Sequence, residues 1–293
     1  MVLVVLLATM WLPELAKGQS SGSTFNFQEY GDVLTGFRKT GNYAGNYEMV
    51  ADLGSVINFL NVTAGTTITI TNFTPGQLTD AFTNYNNLQW SVFASFPGDS
   101  SWPTSLGVFP TQSIWFTLPG TNVNTQSTQA PARRSAQAQA NTEALMNSVG
   151  TGAQAISSLL ASNSDNNLTE VREPKTDSSY VLSEFISDFN NPSIGDFGAN
   201  NTPLPSPVEN VTTNPFVAAE RSDFYQSCPY STSSRAVYTD PITGQTNGLA
   251  YFVGYFIFNP NGTMTFTRAS GVSVPTIGFT STATNGFSPL SVV

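Results

Sequence analysis

Residues 248–270, GLAYFVGYFIFNPNGTMTFTRAS, place an Asn-Pro-Asn-Gly turn between two runs in which apolar residues alternate with small or polar ones. Period-two alternation around turn residues is the signature of an antiparallel hairpin with one buried and one wet face. Phe252, Phe256 and Phe258 fall on one face of the first strand with Gly254 between them. On the return strand Met264 and Phe266 point one way, and Thr263, Thr265 and Thr267 the other.

The same grammar recurs upstream. TFNFQEYGDVLTGFRKTG and NYEMVADLGSVINFL give short apolar segments broken by Gly and Asn, read as strands with tight turns. TTITITNF (66–73) sets Ile68 and Ile70 on one face against threonines, whose branched side chains suit an exposed pleat. Thr74 followed by Pro75 is an N-cap with proline at the first helical position, so PGQLTDAF is expected to form one or two helical turns. NLQWSVFASF and SIWFTLPG return to strand. Short strands with Gly, Asn and Pro turns predict a mainly β fold, a β-sandwich of antiparallel strands with a β-barrel as the alternative.

Residues 121–177 differ in kind. They are rich in Ala and Gln, and Leu145, Val149, Ile156 and Leu160 approximate helical spacing despite two glycines. The reading is a helical insertion around 125–190, and a flexible linker is the other reading of this composition. A second short helix is expected over 178–189, where Val181, Phe185 and Phe189 form one stripe. Five prolines make 190–217 an extended loop, and strands resume at SSRAVYTD. The expected organisation is a leader (1–18), a first half of the sandwich (19–120), a helical and Pro-rich insertion (121–217), a second half (218–269) and a C-terminal tail (270–293).

Charged residues make up only 10% of the 293. Ten basic against 19 acidic residues give a net charge of −9, which repels nucleic acid and leaves no basic stripe. The apolar run Val2 to Leu12, followed by small residues at Ala16 and Gly18, reads as a signal peptide cleaved before Gln19. No later segment is apolar for long enough to suggest a membrane span. The single cysteine, Cys228, is expected to be a small buried hydrophobe, because a thiolate mechanism needs a base and the chain has no histidine.

That lack of histidine removes the usual base of serine and cysteine hydrolases and the commonest zinc ligand. Carboxylate chemistry remains, for which two acids must converge across a cleft. Glu184 with Asp188, Glu29 with Asp32, and Glu48 with Asp52 are neighbours in sequence only, and none is assigned a catalytic role. DNNLTE (165–170) fails the calcium-loop pattern, since Glu170 stands where glycine is needed. No metal ligand or cofactor is assigned. The six Asn-x-Ser/Thr sequons, at Asn61, Asn72, Asn167, Asn200, Asn210 and Asn261, match what composition alone gives. Aromatic side chains that stack on sugars could sit at Trp102, Tyr43 and Tyr47, whereas Trp90 and Trp115 lie in strands where a core position is the default.

YGDVLTGFRKTG, YEMVADLGSVINFLNVTAGTTITITNF, LTDAFTNYNNLQWSVFAS and VGYFIFNPNGTMTFTRA, in that order, resemble exported bacterial proteins of the PEP-CTERM-associated type. The resemblance covers roughly residues 25–118 and 236–269 and implies export and a β-architecture; the group has no agreed activity. The stretch after Ala269 departs from its pattern, without the Val-Pro-Glu-Pro signal, apolar segment and basic tail. The function expected is that of a secreted or cell-surface, non-enzymatic structural or interaction protein. A glycan-binding module is the alternative, and a carboxylate-dependent glycoside hydrolase the second alternative. Partners would be an extracellular polysaccharide, or other copies reached through the C-terminal tail.

Overall fold

A computed structural model describes residues 25–27, 31–39, 47–96, 113–120, 122–126, 136–159, 169–174, 208–227 and 250–270. The leader, Tyr43, Trp102, Cys228, the helix expected at 178–189, the strand at SSRAVYTD and the tail beyond Ser270 lie outside these residues. Among the described residues ten strands and three helices occur in the order β1 (Asp32–Arg38), β2 (Tyr47–Ser55), α1 (Val56–Leu60), β3 (Thr67–Ile70), α2 (Pro75–Phe82), β4 (Gln89–Phe96), β5 (Ser113–Pro119), α3 (Ala136–Leu159), β6 (Glu170–Pro174), β7 (Asn210–Val211), β8 (Glu220–Ser227), β9 (Ala250–Phe258) and β10 (Met264–Arg268).

The mainly β fold read from the sequence is the one the chain adopts. Its facing layers come from one sheet curled into a half-barrel, not from two separate sheets. The sheet is antiparallel, in the order β3-β10-β9-β8-β5-β4-β1-β2-β6, with β7 pairing the first residues of β4. Its curvature can be measured from the rings. Phe37 on β1 and Phe258 on β9 are four strand spacings apart, ~19 Å on a flat sheet. Their centroids are 5.8 Å apart, so the two strands face each other across the concave side.

That concave side is filled by the chain's own side chains. Phe37, Trp90, Trp115, Phe224, Phe256, Phe258 and Phe266 are all buried there, and α1 and α2 lie across the opening with Phe59, Leu78 and Phe82 turned inward. Helix α2 forms as its sequence dictates. The Thr74 hydroxyl accepts the Gln77 N–H at 3.2 Å, the Gln77 side chain accepts the Thr74 N–H at 2.8 Å, and Pro75 opens the first turn. The convex side carries a second core, in which Leu34, Val50, Phe93, Ile114 and Phe116 meet Met146, Val149, Ala153 and Ile156 of α3. The helical reading of the insertion therefore holds over 136–159. Gly150, which helix propensity alone disfavours, is where the Phe27 ring seats: an added Cβ would clash with that ring.

Two local expectations are corrected. SVINFL, read as strand, instead turns into α1. Gly54 at φ +86° bends the last residues of β2, the Asp52 carboxylate accepts its N–H at 2.7 Å, and the Ser55 hydroxyl caps Ile57. Phe252 does not share a face with Phe256 and Phe258. Val253 is an extra residue between the pairs Tyr225–Phe252 and Phe224–Gly254, a β-bulge that reverses the alternation. Phe252 thus packs on the convex side against Tyr225. The Val253 carbonyl, on the β10 side of the strand, accepts from the Ala269 N–H at 3.1 Å and from the Arg268 guanidinium.

Candidate functional site

Buried polar atoms of Asn87, Trp90 and Glu220 lie at the end of the half-barrel where the β9–β10 turn closes. Four rings surround Phe258: Phe37, Tyr85, Trp90 and Phe216, at 5.5 to 5.9 Å between centroids, with Phe216 stacked nearly parallel. The turn is held by Gly262 N–H to the Asn259 carbonyl at 2.8 Å, with Gly262 at φ +82° against the Tyr85 phenol. Tyr85 in turn donates to the Pro75 carbonyl at 2.7 Å, which ties the turn to α2. The segment 212–216 is stitched to 85–88: Thr212 donates its hydroxyl to the Tyr85 carbonyl and accepts the Leu88 N–H, and the Asn86 side chain accepts the Phe216 N–H at 2.9 Å.

Glu220 lies opposite Phe258 on the neighbouring strand. Its Oε1 accepts the Thr213 N–H at 2.9 Å, while its buried Oε2 has no hydrogen-bond partner. Burial pushes this carboxyl up to about 7, against the lowering effect of the Thr213 hydrogen bond. Buried Asn87 Nδ2 and Trp90 Nε1 also lack partners. This constellation can hold a proton and offer hydrogen bonds, but no second carboxyl acts on Glu220 among the described residues.

A pair of interacting carboxyls occurs elsewhere. Burial, and then the charge of Asp32, raise Asp52 to about 7 against the Gly54 hydrogen bond. The sequence offered Glu48 as the partner of Asp52 and Glu29 as that of Asp32; the β1–β2 pairing brings Asp32 to Asp52 instead, because the register sets Leu34 beside Asp52. Glu143, on the buried face of α3, is also pushed to about 7 by burial. Three other buried acids are neutralised by arginines. Arg38 grips Glu209 in bidentate fashion at 2.6 Å, Arg172 pairs Glu170 at 2.7 Å, and Arg221 pairs Asp223 at 2.6 Å while lying 3.8 Å from the centroid of the Tyr255 ring. Among the described residues no group of three His, Cys, Asp or Glu side chains could hold a metal ion.

Of the aromatic candidates for sugar stacking, Tyr47 is 39% exposed at the start of β2. Trp90 and Trp115 are fully buried, which removes them from any sugar platform. Asn210, one of the sequon asparagines, is buried and donates to the Arg221 carbonyl at 2.8 Å. Glu220, Arg221 and Asp223 were not singled out in the sequence because ERSDFYQS lacks a clear apolar alternation; only their distant partners show why they fit a central strand. Among the described residues no helix is long and apolar enough to cross a membrane. Comparison of the chain with protein-family models, with curated proteins and with solved structures found no match in any of the three.

Proposed function

We propose that this chain is a secreted or cell-surface structural or interaction protein that works through its exterior. The observation that carries the reading is the filled half-barrel. Curled sheets that bind small molecules keep a cavity on the concave side, whereas here that volume is occupied by the rings around Phe258 and closed by α1 and α2. Three buried acids are committed to arginines, which is a structural use of charge. Export is supported by the apolar run Val2 to Leu12 with Ala16 and Gly18 behind it, and by the resemblance to PEP-CTERM-associated proteins. The test is to express the chain with its own first 18 residues in a Gram-negative host, fractionate the cells and sequence the N-terminus. A product beginning at Gln19 outside the cytoplasm is expected; an unprocessed cytoplasmic chain overturns the reading.

A second reading, a carboxylate-dependent glycoside hydrolase, is favoured by the Asp32–Asp52 pair, in which burial and the neighbouring Asp32 push Asp52 up to about 7. It predicts release of reducing sugar from a polysaccharide panel that is lost in Asp52→Asn; equal release by both proteins, or none, removes it. The glycan-binding alternative rests on Tyr47 together with Trp102 and Tyr43. It requires binding on a glycan array that falls when Trp102 is changed to alanine.

A further inference from the structure

We propose that β3 is a pairing edge through which two copies of this chain join their sheets, antiparallel and about a two-fold axis. This deepens the exterior-surface reading by naming a partner, and it is tested on purified protein, so its outcome does not depend on where the chain resides.

The sheet has two edges of opposite character. Strand β6, EVREP, carries charge at Glu170, Arg172 and Glu173 and ends in Pro174. Those are the devices by which natural edges refuse further strands. Strand β3, TITI, has no charge and no proline, and every residue is β-branched. Among the described residues it pairs with β10 alone.

The ladder shows which groups are available. Arg268 donates its N–H to the Thr66 carbonyl at 3.0 Å. Along a strand these groups point alternately to either side, so Thr66, Ile68 and Ile70 bond towards β10 and the N–H and C=O groups of Thr67 and Thr69 face outward. Both threonines are exposed. Beyond Ile70 the edge stops, because the Asn72 carbonyl accepts from the Thr169 hydroxyl at 2.6 Å, just before β6 begins.

This edge is self-complementary. A two-fold axis through Ile68 sets Thr67 of one copy against Thr69 of the other, and each such pair exchanges two N–H···O=C bonds. Ile68 then opposes Ile68, and threonines remain on the convex face, where Thr67 and Thr69 already flank Thr267 and Thr265 of β10. The Thr67 and Thr267 hydroxyls lie 2.8 Å apart. An axis shifted by half a residue would oppose Thr to Ile across the two faces, so register is selected by the pleat. The pairing is short and therefore weak, and since each copy carries a net charge of −9, it is expected to tighten with added salt.

Sedimentation velocity over loading concentrations from roughly 10 µM to roughly 1 mM covers the range in which so small an interface titrates. The wild type is expected to shift from monomer to dimer, more readily at higher salt. Thr69→Pro removes an outward N–H that β10 does not use, and the double variant T67K/T69K charges the edge while leaving the core untouched. Each is expected to weaken dimerisation at least ~tenfold with an unchanged far-ultraviolet circular dichroism spectrum; should Thr69→Pro unfold the protein, the lysine variant carries the test. Hydrogen exchange of the wild type at both ends of the range identifies the occupant: the amides of Thr67 and Thr69 gain protection and those of 271–293 do not. A wild type that stays monomeric, a dimer indifferent to both variants, or concentration-dependent protection of 271–293 overturns the proposal, the last in favour of the tail as the added strand.

Discussion

Replacing Glu143 by glutamine tests whether a buried, unneutralised carboxyl limits the stability of the α3–sheet interface. Glu143 is 8% exposed on the face of α3 that also buries Gln139, whose side chain donates to the Ser227 carbonyl at 2.5 Å, and Met146. Burial moves its carboxyl from 4.5 in the unfolded chain to about 7. A raised acid stabilises the fold only while it is protonated in both states, so its contribution is intact below the unfolded value and declines as pH rises through 4.5 to about 7. A shift of about two and a half units at 1.36 kcal/mol each gives a penalty of about 3 kcal/mol at pH 8. Glutamine has the shape of the protonated acid and never ionises. Glu143→Gln should therefore be near neutral at about pH 4 and more stable than wild type by about 1 to 3 kcal/mol at about pH 8, read as an increase in urea midpoint at constant slope. A gain of the same size at both pH values, or none at pH 8, would refute the reasoning.

Three further substitutions probe the frame. Phe258→Ala empties the centre of the ring cluster and should cost about 3 to 5 kcal/mol in urea unfolding. Gly254→Ala would put a Cβ onto the Thr267 carbonyl at the bulge; a loss of about 2 kcal/mol or more in the same assay is expected, and an unaffected midpoint would mean that the bulge can relax. Thr74→Ala removes the cap of α2 and should cost about 1 kcal/mol in thermal unfolding, with the far-ultraviolet circular dichroism spectrum preserved.

Local chemistry was legible in the sequence and long-range pairing was not. Thr74, Pro75 and Gln77 specify the start of α2 through contacts within one turn, so four residues suffice to read it. The hairpin was equally plain, yet the sequence put Phe252 on the wrong face, because the bulge at Val253 arises in the pairing of β9 with β8, a strand outside the hairpin. Strand β6 hid behind its charges. EVREP lacks apolar alternation, and it joins the sheet because Val171 enters the convex core while Glu170 meets Arg172 and the Gln77 amide. The same holds for the candidate site. Glu220 became visible once β8 placed it beside Phe258, and Asp32 met Asp52 only through the β1–β2 register. A period-two pattern shows that a residue is in a sheet but not which strand lies beside it.

The central claim is that a single sheet curls until β1 faces β9 and its own rings fill the interior. Nuclear Overhauser contacts between the aromatic protons of Phe37 and Phe258 test it most directly, since the centroids lie 5.8 Å apart in the curled sheet and would lie ~19 Å apart in a flat one. Cross-peaks between these two rings, and between Trp90 and Phe258, are the expected result. Their absence from a folded, fully assigned protein would contradict the account, and water or ligand signals in their place would turn the filled interior into a binding cavity.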